Sequence, residues 1–313
     1  MKILVTGASG LVGSALINEY QLYSMYNPMD EWIFLSSKDG NLTKEDVVRS
    51  LFKKHQPNIV IHLAANVGGL FKNMHKKIEM YEDNLLMNTF VLKYARLHKV
   101  QKIITMLSTC IFPDGIEPLT EAKLHEGPPH PSNEGYAYAK RMMELHGRIL
   151  EKDHGINCIQ LIPTNIYGPY DNFNLEDAHV LPALIHRCYQ AKQDQVPFII
   201  KGSGKPIRQF IYNYDLAKII LYSVYESIPS GRYICSPPSQ QEQTIEQVAR
   251  KVASCMDYEQ AIQFDTSYAD GQYKKTVEPN IAFSHIPFTD FDEAIKQTVD
   301  WFIAAYENHT ARI

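Results

Sequence analysis

Residues 3–13 read Ile-Leu-Val-Thr-Gly-Ala-Ser-Gly-Leu-Val-Gly, an apolar run that leads directly into glycines at positions 7, 10 and 13. A buried strand that turns through glycines into a helix aims backbone N–H groups at a bound pyrophosphate. Gly7 allows the tight turn, Gly10 lets the backbone approach the phosphates, and Gly13 lets the helix pack on the strand. Because an amphipathic segment follows at residues 11–20, the N-terminal segment predicts a dinucleotide-binding fold.

The bulk composition describes a globular chain long enough for two domains. Its 313 residues are 45% hydrophobic and 21% charged, with a formal net charge of −4, so no basic surface for nucleic acid is expected. The five cysteines form no Cys-x-x-Cys pair, and their odd number leaves one over in any disulfide scheme. A reducing, cytoplasmic location is therefore expected. No apolar run approaches the ~18 residues of a membrane span, and neither a leader peptide nor a metal centre is expected.

Apolar strands and amphipathic helices alternate through the first half of the chain, a pattern typical of a parallel sheet covered on both faces. Strands are predicted at residues 2–6, 32–36, 58–64, 102–108 and 157–162, and helices at 11–20, 43–55, 78–98 and 133–154. Thr43 and Asp46 give the start signal for the second of these helices. We therefore predict an α/β fold: a Rossmann-type, doubly wound domain over residues 1–163, to which residues 206–236 return as a helix and a strand.

A second, smaller α/β domain that binds substrate is predicted over residues 164–313. It begins with a loop at 165–174, because that stretch is rich in Gly, Pro, Asn and Tyr. The regular elements predicted for it are helices at 179–192, 244–256 and 290–306 and a strand at 197–201.

Tyr136 and Lys140 stand four residues apart in Tyr-Ala-Tyr-Ala-Lys, which places the phenol and the ammonium on one face of a helix. A nearby cation favours the ionised phenol and lowers its pKa, so the tyrosine can exchange a proton with a carbonyl or an alcohol. Ser108 ends the preceding strand, at the edge where ligands bind in open α/β sheets. Tyr214 and Lys218 repeat the spacing, but on what is predicted to be a plain surface helix. We therefore predict that Ser108, Tyr136 and Lys140 are catalytic.

The chain resembles the extended short-chain dehydrogenase/reductases over nearly its whole length. The resemblance is carried by Ser108-Thr-Cys110, Gly135-Tyr-Ala-Tyr-Ala-Lys-Arg141, Pro163-Thr-Asn-Ile-Tyr-Gly-Pro169 and His179-Val-Leu-Pro182. Related 4,6-dehydratases usually have Thr-Asp-Glu in place of Ser108-Thr109-Cys110, and the 4-epimerases usually lack the cysteine. Within this family, the chain more narrowly resembles the members that epimerise GDP-4-keto-6-deoxy-mannose at C3 and C5 and reduce it at C4 with NADPH. It implies a homodimer that forms through the long helices.

The resemblance assigns Cys110 and His179 to the epimerisation. A thiol with a pKa near ~8.5 is partly ionised at neutral pH, which suffices to remove a proton made acidic by a ketone. His179, with an ordinary pKa near ~6.5, would return a proton from the other face. From the residues alone, a small buried thiol and a histidine at a helix start explain these two positions as well. His62 and Cys158 are interpreted as core residues.

The end of the second strand indicates which dinucleotide binds. NAD-binding proteins of this fold place an acid there, whereas this chain has Ser36-Ser37-Lys38, whose hydroxyls and ammonium favour the 2′-phosphate of NADP. Asp39 follows directly and weakens this argument. The cofactor-binding residues that the resemblance implies are Gly7, Ser9, Gly10, Leu11, Val12, Gly13, Ser36, Ser37, Lys38, Asn41, Leu42, Ala64, Ala65, Tyr136, Lys140, Pro163, Asn165, Ile166 and His179.

A GDP-sugar substrate is expected to lie against polar and basic side chains, because its diphosphate needs cations. The resemblance implies Asn165, Arg187, Lys201, Arg208, Asp270 and Lys275, although each residue taken alone fits a solvated surface charge better than a ligand contact. Lys201 is a departure, since some bacterial members of the family have tryptophan there. Two other functions stay open: another sugar-nucleotide epimerase or reductase of the extended family, and a non-catalytic NADP-binding regulator. The intact Ser-Tyr-Lys set argues against the second.

Overall fold

The computed structural model describes residues 1–24, 28–116, 119–268 and 273–313, with the backbone alone at residues 23, 24, 71, 240, 274 and 275. The strands are β1 (Lys2–Thr6), β2 (Glu31–Leu35), β3 (Ile59–His62), β4 (Lys102–Met106), β5 (Asn157–Pro163), β6 (Asn165–Tyr167), β7 (Phe198–Lys201), β8 (Ile207–Arg208), β9 (Phe210–Tyr212), β10 (Gly231–Cys235), β11 (Gln243–Thr244), β12 (Ile262–Asp265) and β13 (Lys274–Lys275). The helices are α1 (Leu11–Ser24), α2 (Glu45–His55), α3 (Leu70–His75), α4 (Lys77–Leu97), α5 (Glu134–His154), α6 (Val180–Asp194), α7 (Asn213–Tyr225), α8 (Ile245–Ser254) and α9 (Phe291–Glu307).

Within these described ranges, six strands form one fully parallel sheet in the order β2-β1-β3-β4-β5-β10. The strand order reverses between β1 and β3, and ligands bind at such a reversal in doubly wound sheets, outside the carboxyl ends of the strands. The predicted doubly wound α/β fold is therefore confirmed. β10 occupies the edge position beside β5, although it follows β5 by nearly seventy residues in the chain.

Apolar helices cover both faces of this main sheet. Ile3 and Val5 of β1 lie in one buried cluster with residues of α1 and α7, whereas Leu4 lies in a second cluster with residues of α2, α4 and α5. Alternate residues of a strand point to opposite faces, so a strand buried on both sides needs an unbroken apolar sequence. This explains why the central strands contain near-continuous Ile, Val and Leu. Burial of each such side chain contributes about 1.5–3 kcal/mol.

A third apolar cluster marks the second, smaller unit. It gathers residues of α6, α8 and α9 together with β7 and β9, including Phe198 and Phe302, both of which are fully buried. Three small sheets accompany it: β7 with β12, β6 with β9, and β8 between β11 and β13. None of the helices in the described part of the chain is long and apolar enough to cross a membrane.

β4 ends at Met106, so the prediction that Ser108 ends this strand is wrong, because Ser108 instead caps the 3-10 helix that follows. The start of α2 and the segment at 165–167 also differ from the prediction, because local hydrogen bonding or long-range pairing prevails. The helix predicted to start at Thr43 starts at Glu45, since both the N–H and the hydroxyl of Thr43 donate to Asn41 Oδ1, each at 2.9 Å. The loop predicted at 165–174 is wrong at its first three residues. Asn165–Tyr167 forms β6, which pairs in parallel with β9, a partner more than forty residues further along the chain.

The helix that carries the second Tyr-x-x-x-Lys pair is not the plain surface helix predicted. Leu216 and Ile220 of α7 are fully buried in the cluster that α7 shares with α1. Tyr214 contacts Asn18 of α1 through a 2.9 Å hydrogen bond, and Lys218 pairs with Asp215 at 3.1 Å. The pair therefore serves the packing of α7 on α1.

Candidate functional site

The glycine-rich turn after β1 is tightly packed at Gly7 and Gly13 and less crowded at Gly10. Gly7 has φ +73°, and a Cβ on it would lie 2.6 Å from the backbone nitrogen of Ala64. A Cβ on Gly13 would lie 2.5 Å from Ala8 Cα, so only glycine lets α1 pack this closely. At Gly10 the nearest atom to such a Cβ is Gly7 O at 3.3 Å. The turn therefore fits a pyrophosphate that approaches the backbone at Gly10 and the start of α1.

The turn after β2 exposes a hydroxyl, an ammonium and an acid, and the acid is hydrogen-bonded within the turn. Ser36 donates from its N–H to Asp39 Oδ2 at 2.8 Å and from its hydroxyl at 3.1 Å, and these bonds lower the pKa of Asp39. The side chains of Ser37 and Lys38 are exposed. The arrangement fits a 2′-phosphate, because the carboxylate is already hydrogen-bonded within the turn while the cation remains accessible.

The other predicted cofactor residues lie at or just beyond the carboxyl ends of the main-sheet strands. Ser9 is exposed in the glycine turn, and Leu11 and Val12 begin α1. Ala65 follows Ala64 after β3, Pro163 ends β5, and Ile166 lies in β6. The remaining two, Asn41 and Leu42, lie in the segment that leads into α2.

Two consecutive side chains of α5 bind the segment that follows β4. Lys140 Nζ donates to Met106 O at 2.8 Å, and Arg141 Nε donates to Ile111 O at 2.7 Å. Lys140 is only 2% exposed and Arg141 only 5%. Residues 107–110 are thus held against α5 at both ends, and this segment contains the predicted serine and cysteine.

Ser108 and Cys110 lie in this fixed segment, where the chain turns through the short 3-10 helix Thr109–Ile111. Ser108 caps the turn, and its Oγ accepts from the Cys110 N–H at 3.3 Å. Cys110 is half-buried, and its electrostatic interaction with Lys140 and Arg141 opposes the lowering of their pKa values by burial. A thiolate at Cys110 would therefore lie close to two cations, the environment of a reactive cysteine.

Tyr136 lies one helical turn before Lys140, whose Nζ is 5.5 Å from the centroid of the tyrosine ring. Burial raises the pKa of Tyr136 well above its usual range, and the neighbouring Cys110 raises it further. Burial also lowers the pKa of Lys140 to about 8. The expectation that the lysine lowers the tyrosine pKa is therefore wrong for this structure, because desolvation exceeds the effect of the cation. At neutral pH Tyr136 is a phenol, the form that donates a proton.

His179 is the residue that precedes the first turn of α6, in the second unit. Its side chain is exposed, yet the surrounding protein lowers its pKa by desolvation. Exposure combined with dense surroundings is the situation of a residue that lines a cleft. The preceding Asp177 accepts through its carbonyl from the Gly69 N–H at 2.7 Å. Gly69 belongs to the loop after β3, and the helix after that loop, α3, packs against α5.

The predicted substrate residues form two groups near the second unit. In the first, Asn165 Nδ2 donates to Gln209 O at 2.8 Å, and Arg208, whose pKa burial lowers, donates to Ile207 O at 2.8 Å. Lys275 is paired with Arg208 across β13 and β8, but its side chain lies outside the described residues. Asp270 also lies outside them.

The second group contains Arg187, Lys201 and a residue that the sequence reasoning missed, Tyr268. Lys201 Nζ lies 4.6 Å from the centroid of the Tyr268 ring. Burial lowers the pKa of Arg187, and its interaction with Tyr268 opposes that change. Tyr268 could have been noticed as an aromatic residue two positions before the predicted Asp270.

His62 and Cys158 lie in the core, as predicted. His62 is 1% exposed, with Nδ1 2.7 Å from Thr6 Oγ1 and Nε2 3.0 Å from Asn88 Oδ1. Burial lowers its pKa to about 3, so the ring is neutral. Cys158 is 3% exposed in the cluster that covers the α2, α4 and α5 face.

The fold and this site indicate one class of enzyme, and a comparison with protein-family models agrees. The model described as the NAD dependent epimerase/dehydratase family matches residues 3–234, and the chain belongs to this family. Within it, the chain is similar to GDP-L-fucose synthases. It is 45% identical to one from Dictyostelium discoideum, with 99% of this chain and 97% of the relative covered. It is 42% identical to a probable one from Drosophila melanogaster, with 98% of each covered. A GDP-L-fucose synthetase structure from Naegleria fowleri, bound to NADP, is 44% identical with a TM-score of 0.90, covering 100% of this chain and 95% of that one.

Proposed function

We infer that this protein converts GDP-4-keto-6-deoxy-D-mannose to GDP-L-fucose, by epimerisation at C3 and C5 and NADPH-dependent reduction at C4. The observation that carries the inference is full-length similarity to GDP-L-fucose synthases at 42–45% identity. The site supports it, since a half-buried cysteine follows the serine of a Ser-Tyr-Lys set and lies near two cations. A plain 4-reductase would not need that thiol.

NADP is the cofactor that we assign to the glycine turn and to the turn after β2. The backbone at Gly10 and the start of α1 would bind the pyrophosphate, and Ser37 and Lys38 would bind the 2′-phosphate. When bound as NADPH it supplies the hydride that reduces the ketone at C4. Lys140 would hold the nicotinamide ribose, since its ammonium is already fixed by Met106 O.

Epimerisation requires a base and an acid on opposite faces of the sugar. We propose that the Cys110 thiolate removes the proton from C3 or C5, leaving an enolate whose negative charge rests on the C4 oxygen. The hydroxyl of Ser108 would donate to that oxygen and stabilise it. His179 would return a proton to the other face. Its exposure lets it regain a proton from water.

Reduction uses the same pocket with a different proton. As C4 becomes an alcohol, its oxygen needs one proton, and Tyr136 is the group that carries it at neutral pH. Ser108 would polarise the same carbonyl before the hydride arrives. Both residues are positioned by α5 and by the segment that α5 binds.

We further propose that two copies of the chain associate through α4 and α5. Five large apolar side chains on these helices are exposed: Ile78, Leu86, Leu97, Met142 and Ile149. Such a face supports an interface between copies. The odd number of cysteines, with no Cys-x-x-Cys pair, supports a reducing compartment such as the cytoplasm.

Proton exchange without reduction tests the proposed chemistry. The protein is incubated with the keto-sugar and NADP⁺ in D₂O, and the recovered sugar is examined by NMR. Deuterium should appear at C3 and C5, because removing a proton beside a ketone needs a base but no hydride. Cys110→Ser should abolish or greatly slow this exchange. Cys255→Ser, at a half-buried cysteine of the second unit, is the matched control.

Two variants separate the roles further. His179→Gln should still exchange protons but invert the centres poorly, while Tyr136→Phe should exchange almost normally. Undiminished exchange in Cys110→Ser would remove that residue as the base. No exchange in the unsubstituted protein would favour a plain 4-reductase.

A further inference from the structure

The Lys201–Tyr268 pair lies where β7 and β12 end side by side. The two strands are parallel, and Lys201 is paired in register with Asp265. Hydrogen bonds from the hydroxyl and then the N–H of Ser267 lower the pKa of Asp265, and the charge of Lys201 lowers it further. These bonds form a turn after β12, and Tyr268 is its next residue. The turn therefore brings the Tyr268 ring beside the lysine of the neighbouring strand.

The Tyr268 ring is engaged on one side and accessible on another. The ammonium of Lys201 lies 4.6 Å from its centroid, over one face, yet the residue is 45% exposed. An exposed aromatic ring is poorly explained by core packing, and a flat accessible ring is a platform on which any nucleobase can stack. The cation on the covered face fixes the ring without occupying its other face.

The distance along α6 matches the length of the substrate. Arg187 follows His179 by eight residues, which at 1.5 Å per residue is about 12 Å along the helix axis. Arg187 is close enough to Tyr268 for the two to interact electrostatically. With the reacting sugar ring at His179, a diphosphate spans toward Arg187, whose guanidinium suits phosphate oxygens. The nucleoside base then reaches the level of Tyr268.

We propose that Tyr268 supplies the aromatic face on which the guanine base of the GDP-sugar stacks, with Lys201 fixing the ring. The inference rests on the proposed function, and it accounts for the one departure noted at position 201. Where some bacterial members of the extended family place tryptophan on this strand, this chain has lysine there and takes its aromatic group from the adjacent turn. In this chain the aromatic residue therefore lies in the turn after β12, and the lysine that contacts it ends β7.

Binding of GDP to the full-length protein in the presence of NADP⁺ tests this, by isothermal titration. Tyr268→Leu should weaken GDP binding roughly 5- to 100-fold, the usual effect of removing one stacking ring. Tyr268→Phe keeps the ring and should bind GDP nearly as the unsubstituted protein does. Tyr273→Leu, at a tyrosine that is 63% exposed five residues later, is the matched control and should leave GDP binding unchanged.

A base-free probe shows whether the loss belongs to the base. Ribose 5-diphosphate should compete equally well in the unsubstituted protein and in Tyr268→Leu. The KM for the keto-sugar should rise in parallel with the GDP dissociation constant while kcat stays constant, since the ring is far from the reacting carbons. A Tyr268→Leu variant that binds GDP normally, or that loses the base-free probe equally, overturns the inference.

The exchange variant Lys201→Trp/Tyr268→Lys gives an independent check. It should recover most of the GDP affinity that Tyr268→Leu loses, because it restores an aromatic face and a cation in exchanged positions. A loss as large as that of Tyr268→Leu would contradict the exchange. Failure of the unsubstituted protein to bind GDP or to convert the keto-sugar would instead refute the proposed function itself.

Discussion

Replacing Lys140 by methionine should make the cofactor-free protein more stable while removing its reductase activity. The ammonium of Lys140 is 2% exposed and has one hydrogen bond, to Met106 O at 2.8 Å. Burial lowers its pKa from 10.5 to about 8. Each pKa unit corresponds to about 1.36 kcal/mol, so holding the charged form in this interior costs folding about 3 kcal/mol. Methionine has similar length and no charge.

The net change is smaller because the carbonyl of Met106 loses its donor. A hydrogen bond of this kind contributes about 1 kcal/mol, so Lys140→Met should stabilise by about 2 kcal/mol at pH 7. The sign follows from the lowered pKa: the unfolded chain binds more protons between pH 8 and 10.5, so the penalty is complete below pH 8 and disappears as the pH rises towards 10.5. The advantage of the variant should therefore vanish at about pH 10, where the remaining penalty equals the lost hydrogen bond.

Urea unfolding of the cofactor-free protein at pH 7 and at pH 10 measures this difference. Lys152→Met, at an exposed lysine of the same helix, is the matched control and should change stability by less than about 0.5 kcal/mol. A Lys140→Met protein that is less stable than the unsubstituted one at pH 7 would refute the reasoning. So would an advantage that is independent of pH.

Three further predictions concern the cofactor and the acid. Tyr136→Phe should bind cofactor and substrate but lose ~10²–10⁴-fold in the reduction rate. Tyr214→Phe, at the second Tyr-x-x-x-Lys pair, should change this rate little, and equal effects of the two variants in steady-state assays would mean that the site is placed wrongly. NADPH should bind roughly ten- to a hundredfold more tightly than NADH, and Lys38→Ala should shrink the difference; equal affinities of the two cofactors in fluorescence titrations would contradict the role of the 2′-phosphate. Gly7→Ala should abolish NADP binding, because Gly7 has φ +73° and the new Cβ would lie 2.6 Å from the backbone of Ala64. Normal NADP affinity would show that this turn does not bind the pyrophosphate.

The sheet could be predicted from sequence because its signals are local. Near-continuous apolar runs at β1, β3 and β4 indicate strands buried on both faces. The glycines at 7 and 13 indicate the turn and the close packing of α1. β6 could not be predicted, since in the described part of the chain it pairs with the distant β9, and the composition at 165–174 is typical of a loop. Pairing between segments far apart in the chain leaves no local pattern.

The residue types of the candidate site could be named from the sequence, but the pKa shifts of their side chains could not. The spacing of Tyr136 and Lys140 indicates a shared helix face, but only the structure shows that both groups are desolvated, which reverses the expected pKa of the tyrosine. Tyr268 was missed for a related reason. Its contact with Lys201 depends on the neighbouring strand, and no spacing within the sequence links the two residues.

The identity of the product formed from GDP-4-keto-6-deoxy-D-mannose and NADPH tests the central claim most directly. The purified protein is incubated with both compounds, and the nucleotide sugar is isolated and its configuration assigned by NMR. The product should be GDP-L-fucose, inverted at C3 and C5 and reduced at C4, with one NADP⁺ formed per product molecule. A product reduced at C4 that keeps the mannose configuration at C3 and C5, or no turnover at all, would contradict it.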